Sequence, residues 1–108
     1  MEDKPLTRLK RKTTVDNLWL YILSLLTEGS MYAYEINARL KNRFDFSVGE
    51  VTAYVVLYKL EKAGYVETEW KSESRQRKYY KITQKGRRLL DSGLLLLEKQ
   101  LNALKARP

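Results

Sequence analysis

The stretch SVGEVTAYVVLYKLEKA, Ser47 to Ala63, decides how the rest of the chain is read. Ser47 and Glu50 have the spacing of a capping box, which predicts that a helix begins at Ser47. Gly64 predicts its end, because glycine takes a left-handed turn at no steric cost. On a helical wheel Gly49, Ala53, Val56, Leu57, Leu60 and Ala63 fall on one side and make a core stripe. The other side carries Val51, Tyr54, Val55, Tyr58, Lys59 and Lys62, with Thr52 at its margin. A solvated helix face is normally rich in Glu and Lys. One built of tyrosine, valine and lysine fits a partner, and the mix suits the bases and phosphates of a major groove. A helix buried on both sides by its own fold is the alternative that this stretch alone leaves open.

Upstream, Thr13 or Thr14 can cap a first helix, with Asp16 favourable in its first turn. Val15, Leu18, Trp19, Ile22, Leu25 and Leu26 recur at helical spacing until Thr27-Glu28-Gly29 ends the element. Ser30 can cap a second helix, MYAYEINARLKNRF, whose inner stripe is Ala33, Ile36, Leu40 and Phe44. Its first turn holds Tyr32 and Tyr34. A short link, Arg43 to Phe46, leads into the Ser47 helix. Three helices in this order make a helix-turn-helix, in which the later helix enters the groove.

Downstream, the period changes from helix to strand. Tyr65 to Trp70 alternate, and Lys78 to Ile82 form a second strand. The polar KSESRQR between them makes a hairpin, a wing beside the third helix. From Lys71 to Lys81 there are five basic residues, Lys71, Arg75, Arg77, Lys78 and Lys81, against one acid, Glu73. A basic hairpin tip beside a reading helix is a sharper signal than net charge, and a merely solvated loop is the plain alternative. Thr83 caps the last helix, which runs to about Ala106. Leu90, Leu94, Leu97, Leu101 and Leu104 step by four and three like a coiled-coil seam, widened by Leu89 and Leu96. Gly93 in mid-helix marks a close contact. The seam spans only about two heptads, too short to hold two chains alone, so it needs to pack against the first helix or its mate in another protomer. A homodimer is favoured because two-fold symmetry is the usual way small winged domains gain affinity. Folding back on its own domain is the alternative.

Composition narrows the classes. The 108 residues carry a net charge of +8 and a pI near 9.7, with 44% apolar residues, which fits one packed domain that meets a polyanion. There is neither cysteine nor histidine, so disulfides, thiolate chemistry and the commonest general base and metal ligand are absent. No nucleophile–base pairing or glycine-rich phosphate loop appears, so no enzyme and no cofactor are expected. No apolar run approaches the length of a membrane span. The start, MEDKPLTRLKRK, lacks the apolar stretch of a secretory signal, so a cytoplasmic, nucleoid-associated protein is expected. Within it, Lys4, Arg8, Lys10, Arg11 and Lys12 read as a solvated basic arm.

Three segments carry a resemblance: ILSLLTEGSMYAYEI at 22–36, TAYVVLYKLEKAGYVETEW at 52–70 and RKYYKITQKGRRLL at 77–90. With Tyr54, the L-x-x-L-E-x-x-G run ending at Gly64, and K-Y-Y-x-I-T-x-x-G, the chain resembles the PadR family of winged-helix transcriptional regulators in its short form. The resemblance implies a dimeric DNA-binding repressor, of a kind that often answers to a small phenolic or drug-like effector. It places Tyr54, Lys78 and Tyr79 at DNA, and Tyr34 at the family's tyrosine early in the second helix. The chain departs from the family at Tyr32-Ala33, where His-Gly is usual, and at Val55, where proline is usual. Members that sandwich flat ligands use a tryptophan in the last helix. No aromatic lies beyond Tyr80 here, which argues against a small-molecule effector site of that kind.

The expected fold is therefore α+β, mainly α. It comprises a basic N-terminal arm (1–12), a winged helix-turn-helix of three helices and a two-stranded wing (13–83), and a C-terminal dimerisation helix (84–108). The expected function is sequence-specific binding of double-stranded DNA at a near-palindromic site, with repression of transcription. Thr52, Tyr54, Val55, Tyr58 and Lys59 would enter the groove; Lys62, Arg75, Arg77 and Lys78 would neutralise phosphates; Tyr32, Tyr34 and Tyr79 complete the DNA-binding set. Leu90, Leu94, Leu97, Leu101 and Leu104 would form the dimer seam. An architectural or plasmid-partition protein that spreads on DNA, and a winged-helix adaptor that grips another protein, are the alternatives.

Overall fold

The core is built around a short helix that is buried on nearly every side. In the computed structural model, which describes residues 3–72 and 74–107, this is α2, Leu18–Leu26. Six of its nine residues are buried: Leu18, Leu20, Ile22, Leu23, Leu25 and Leu26. That is too many for one stripe, so neighbours must cover it from several directions. Each such side chain contributes about 1.5–3 kcal/mol on leaving water.

The neighbours are α3, Ala33–Phe44, and α4, Glu50–Lys62, followed by strands β2, Val66–Ser72, and β3, Gln76–Ile82. Ile36, Leu40, Leu57 and Val66 supply the fully buried contacts from these elements. The last helix, α5, spans Gln84–Lys105, and a further helix, α1, spans Lys4–Thr13. The fold is a winged helix-turn-helix with a long C-terminal helix, as expected.

Four local expectations are corrected. The N-terminal arm is α1 rather than a solvated tail, although none of its residues is buried. Thr13 and Thr14 therefore close a helix instead of opening one. Their hydroxyls donate to the Leu9 carbonyl at 2.7 Å and the Lys10 carbonyl at 2.6 Å. A 3-10 turn, Val15–Asn17, then leads into α2. The joint is clasped by the Tyr21 hydroxyl, which donates to the Thr13 carbonyl at 2.6 Å, and by the Lys12–Asp16 ion pair at 3.0 Å. The hydrogen-bonded Lys12 ammonium holds the Asp16 carboxyl below its usual range.

Secondly, Ser47 and Glu50 form no capping box. The helix begins at Glu50, its N-cap is Gly49, and no side chain caps it. The cause is the approach to the helix. Phe46 is buried, Ser47 exposed, Val48 half-buried and Gly49 exposed, an alternation that keeps the chain extended. Phe46 is held against Tyr21, ring centroids 5.0 Å apart.

Thirdly, Ser30 does not cap the second helix. Met31 and Tyr32 form a strand, β1, that pairs antiparallel with Tyr80 and Tyr79, so the sheet has three strands in the order β1-β3-β2. The paired wing also runs further outward than expected, to Ser72 opposite Gln76. Glu73, read as the lone acid of the tip, lies outside the described residues, as do Met1, Glu2 and Pro108.

The fourth correction concerns α5. Leu90 is 6% exposed and belongs to the domain's own core, so it is not part of an open seam. Gly93 is where α5 crosses α2: a Cβ there would stand 2.9 Å from Cη2 of Trp19 and 3.0 Å from Leu20. Beyond Gly93 the helix leaves the domain, and Leu94, Leu95, Leu96, Leu97, Leu101 and Leu104 are all exposed.

The end of α4 follows expectation. Gly64 takes φ 82°, the Tyr65 amide donates to the Leu60 carbonyl and the Gly64 amide to the Glu61 carbonyl. The same turn receives the start of α5. The Thr83 hydroxyl donates to the Gly64 carbonyl at 2.7 Å, the Thr83 amide to the Tyr65 carbonyl at 3.1 Å, and the Lys85 ammonium to the Ala63 carbonyl at 2.6 Å. Thr83 caps α5 as expected, its oxygen accepting from the Gly86 amide at 3.0 Å.

Candidate nucleic-acid interface

Helix α4 presents the two faces that its wheel predicts, except that Gly49 and Ala63, placed in the core stripe, are its exposed caps. Ala53, Leu57 and Leu60 are buried, while Tyr54, Val55 and Tyr58 are 48%, 46% and 60% exposed. Val51, Thr52, Lys59 and Lys62 are exposed beside them. The alternative of a helix buried on both sides is thereby excluded within this chain. The Lys62 ammonium lies 5.9 Å from the centre of the Tyr58 ring, so charge and aromatic surface are presented together.

The wing stands beside this helix because α4 turns directly into β2 at Gly64. Its two faces differ. Met31, Thr68, Trp70, Lys78 and Tyr80 share the face turned to the helices, and Tyr32, Glu69, Lys71, Arg77 and Tyr79 share the other. Adjacent Tyr79 and Tyr80 thus have separate fates. Tyr80 is buried, and burial raises its hydroxyl pKa. Tyr79 packs edge-on against Tyr32 at 5.5 Å, with the Lys71 ammonium 4.8 Å above its ring. The Arg77 guanidinium sits 4.5 Å above Tyr32. Cations and aromatics on the outer face form one stacked cluster.

Lys78 is not a free cation. Its ammonium is 3.2 Å from the Glu61 carboxylate of α4, which also accepts from the Thr68 hydroxyl at 2.9 Å. The Thr68 hydrogen bond, with Lys78 second, holds the Glu61 carboxyl below its ordinary range. This three-residue tie fixes the wing to α4, and it gives Lys78 a structural partner that its spacing in sequence does not reveal.

Between the wing, α4 and the start of α3 lies a cleft of about 730 Å³ lined by Tyr34, Tyr54, Trp70, Arg75, Arg77 and Lys78, among others. Tyr34, 78% exposed, opens it from the α3 side. Of the expected DNA-binding set, the structure brings Tyr32, Tyr34, Tyr54, Arg75, Arg77 and Lys78 to this one cleft. Thr52, Val55, Tyr58, Lys59 and Lys62 lie along exposed α4, and Tyr79 lies on the outer sheet face. Trp70 was read only as a strand residue. The signal for it was the alternation itself, which puts it on the face of Thr68 and Lys78, outward of the buried pair.

Among the described residues no cluster of acidic, cysteine or histidine side chains could hold a metal, and no helix is long and apolar enough to cross a membrane.

Comparison with known proteins agrees with this architecture. A transcriptional regulator from Clostridium thermocellum is 32% identical and superposes with a TM-score of 0.69, over 82% of this chain and 92% of its own. A PadR family transcription regulator from Clostridium difficile is 26% identical, with a TM-score of 0.70 over 82% of this chain and 97% of its own. Bacillus subtilis PadR, solved in complex with operator DNA, shares the fold at 23% identity and a TM-score of 0.67, over 84% of this chain and 49% of its own. Residues 22–92, from α2 into the third turn of α5, match the transcriptional regulator PadR-like family. The chain belongs to that family and is a winged-helix transcriptional regulator.

Proposed function

We propose that the protein binds double-stranded DNA sequence-specifically, as a homodimer on a near-palindromic site, and represses transcription there. The observation that carries this reading is the exposed Tyr54–Val55–Tyr58 face of α4 beside a cationic wing. Thr52, Tyr54, Val55, Tyr58 and Lys59 read base edges in the major groove, and Lys62, Arg75 and Arg77 hold phosphates. Lys78 adds positive potential but keeps its tie to Glu61. The DNA complex of the Bacillus subtilis relative supports the choice of partner. The protein acts at the nucleoid, in the cytoplasm.

Helix α5 supports the homodimer. Leu94, Leu97, Leu101 and Leu104 retain the seam spacing and are between 47% and 78% exposed, a surface that a second copy covers. Two-fold symmetry then places half-sites about one helical turn, 10–10.5 base pairs, apart.

Selection of bound fragments from random duplexes, followed by footprinting, tests the reading. A two-fold symmetric consensus is expected, with affinity falling steeply as salt rises, at a log–log slope near −0.9 per neutralised phosphate. Salt-insensitive binding, or no enriched sequence, would overturn it.

A further inference from the structure

Trp70 has no part in the reading above, yet its position is hard to explain without a partner. It lies on β2 opposite Lys78, on the sheet face that buries Tyr80 and Val66 against the helices, but it is itself 60% exposed. The indole is the largest apolar group on the wing. It opens into the cleft shared with Tyr34 and Tyr54, where Arg75 and Lys78 supply charge, Arg77 adds its own at the Tyr32 edge from the outer sheet face, and none of the described lining residues is acidic. An occupant must therefore be anionic and also offer apolar faces at close spacing. A sugar–phosphate strand has both, alternating deoxyribose rings with phosphates, whereas a free anion has no apolar face for the indole.

We propose that this cleft takes one backbone strand of the bound duplex, with the Trp70 indole packed against a deoxyribose and Arg75 and Arg77 on the flanking phosphates. The inference rests on the DNA-binding reading and adds to it an uncharged anchor on the wing. Burial of an indole strengthens binding without displacing counterions, so Trp70 should set affinity but not salt dependence.

The test uses the full-length protein and a duplex recovered by selection. Trp70→Ala should weaken binding about tenfold with an unchanged log–log salt slope. Trp70→Phe should restore most of that loss. Arg75→Ala and Arg77→Ala should each flatten the slope by about one. In a Trp19→Phe background the remaining tryptophan should become shielded from acrylamide when the duplex is added, and unfolding curves for each variant separate this from misfolding. An indole equally quenched with and without duplex overturns the proposal even where an alanine variant folds badly. If the wild type binds with steep salt dependence while Trp70→Ala matches it, this inference fails and the DNA reading stands. An acidic protein segment then becomes the better occupant. If the wild type shows no salt-dependent binding, the DNA reading itself fails.

Discussion

Helices α4 and α5 both carry apolar side chains that the domain leaves in water, but the two surfaces are made differently. On α4 the exposed groups are Tyr54, Val55 and Tyr58, interleaved with Lys59 and Lys62. On α5 the large exposed apolar groups are leucines alone, four of them consecutive from Leu94 to Leu97, with Glu98 and Lys99 only after them. Tyrosine and lysine can satisfy a polar, charged partner while burying carbon. Leucine offers only carbon, and four in a row wrap most of the helix circumference, so one flat contact cannot cover them. Exposure is common to both; the chemistry of the exposed groups is what favours a polyanion for one and a second copy of the chain for the other in the proposed reading.

The strongest way to break this contrast is to charge the leucine surface. Leu97→Asp with Leu101→Asp should convert the dimer to a monomer by light scattering. Affinity for the selected duplex should fall about 100-fold or more as the two half-site contacts lose their linkage. A variant that stays dimeric would remove α5 as the seam. Next in size, Tyr54→Ala and Tyr58→Ala should each cost about 10- to 100-fold on the selected duplex and much less on random duplex. Equal losses on both would reduce α4 to a phosphate-binding surface.

Smaller effects sharpen the contrast at its base. Gly93→Ala gains about 1 kcal/mol of helix propensity but drives a methyl into Trp19, and we expect a net loss of roughly 1 kcal/mol by chemical denaturation. A stabilised variant would mean that α5 is not seated where it crosses α2. Smallest is Glu61→Ala. It removes a negative charge near the proposed DNA-binding face, which by charge alone should tighten binding; loss of the wing tie should instead weaken it roughly threefold. Because the folded Glu61 carboxyl lies below its ordinary value of 4.5, its stabilisation is fully present above that pH and is lost as pH falls through the lowered value. The gap in melting temperature between wild type and variant should therefore close in acid. Since Glu61 is a third exposed, that gap amounts to a few tenths of a kcal/mol.

Much of the fold was legible because its signals are local and periodic. The helical spacing in α2, the buried side of α4, the stop at Gly64 and the cap at Thr83 each follow from a few neighbouring residues, whereas the burial of Leu20 and Leu23, outside the expected stripe, does not. The corrections fall where a distant partner decides. Ser47 has the right spacing for a cap, but Phe46 seated against Tyr21 keeps the chain extended past it. Helix α1 carries only two large apolar residues to mark it, Leu6 and Leu9 at i,i+3 on one face, and both remain in water. Strand β1 exists only because Tyr79 and Tyr80 arrive beside it. The candidate site divides in the same way. The α4 face followed from the wheel, whereas Lys78's tie to Glu61 and Trp70's place in the cleft depend on how β2 and β3 lie against α4.

The turn at Ala63, Gly64 and Tyr65 has a mechanical consequence. Its three carbonyls are all held by Thr83 and Lys85 at the root of α5, so the stem and the reading rod are riveted at one pivot. In a symmetric pair this works like the joint of a pair of calipers. For the proposed homodimer, the jaw opening, and with it the distance between the two half-sites gripped at once, would be set there rather than at the tips.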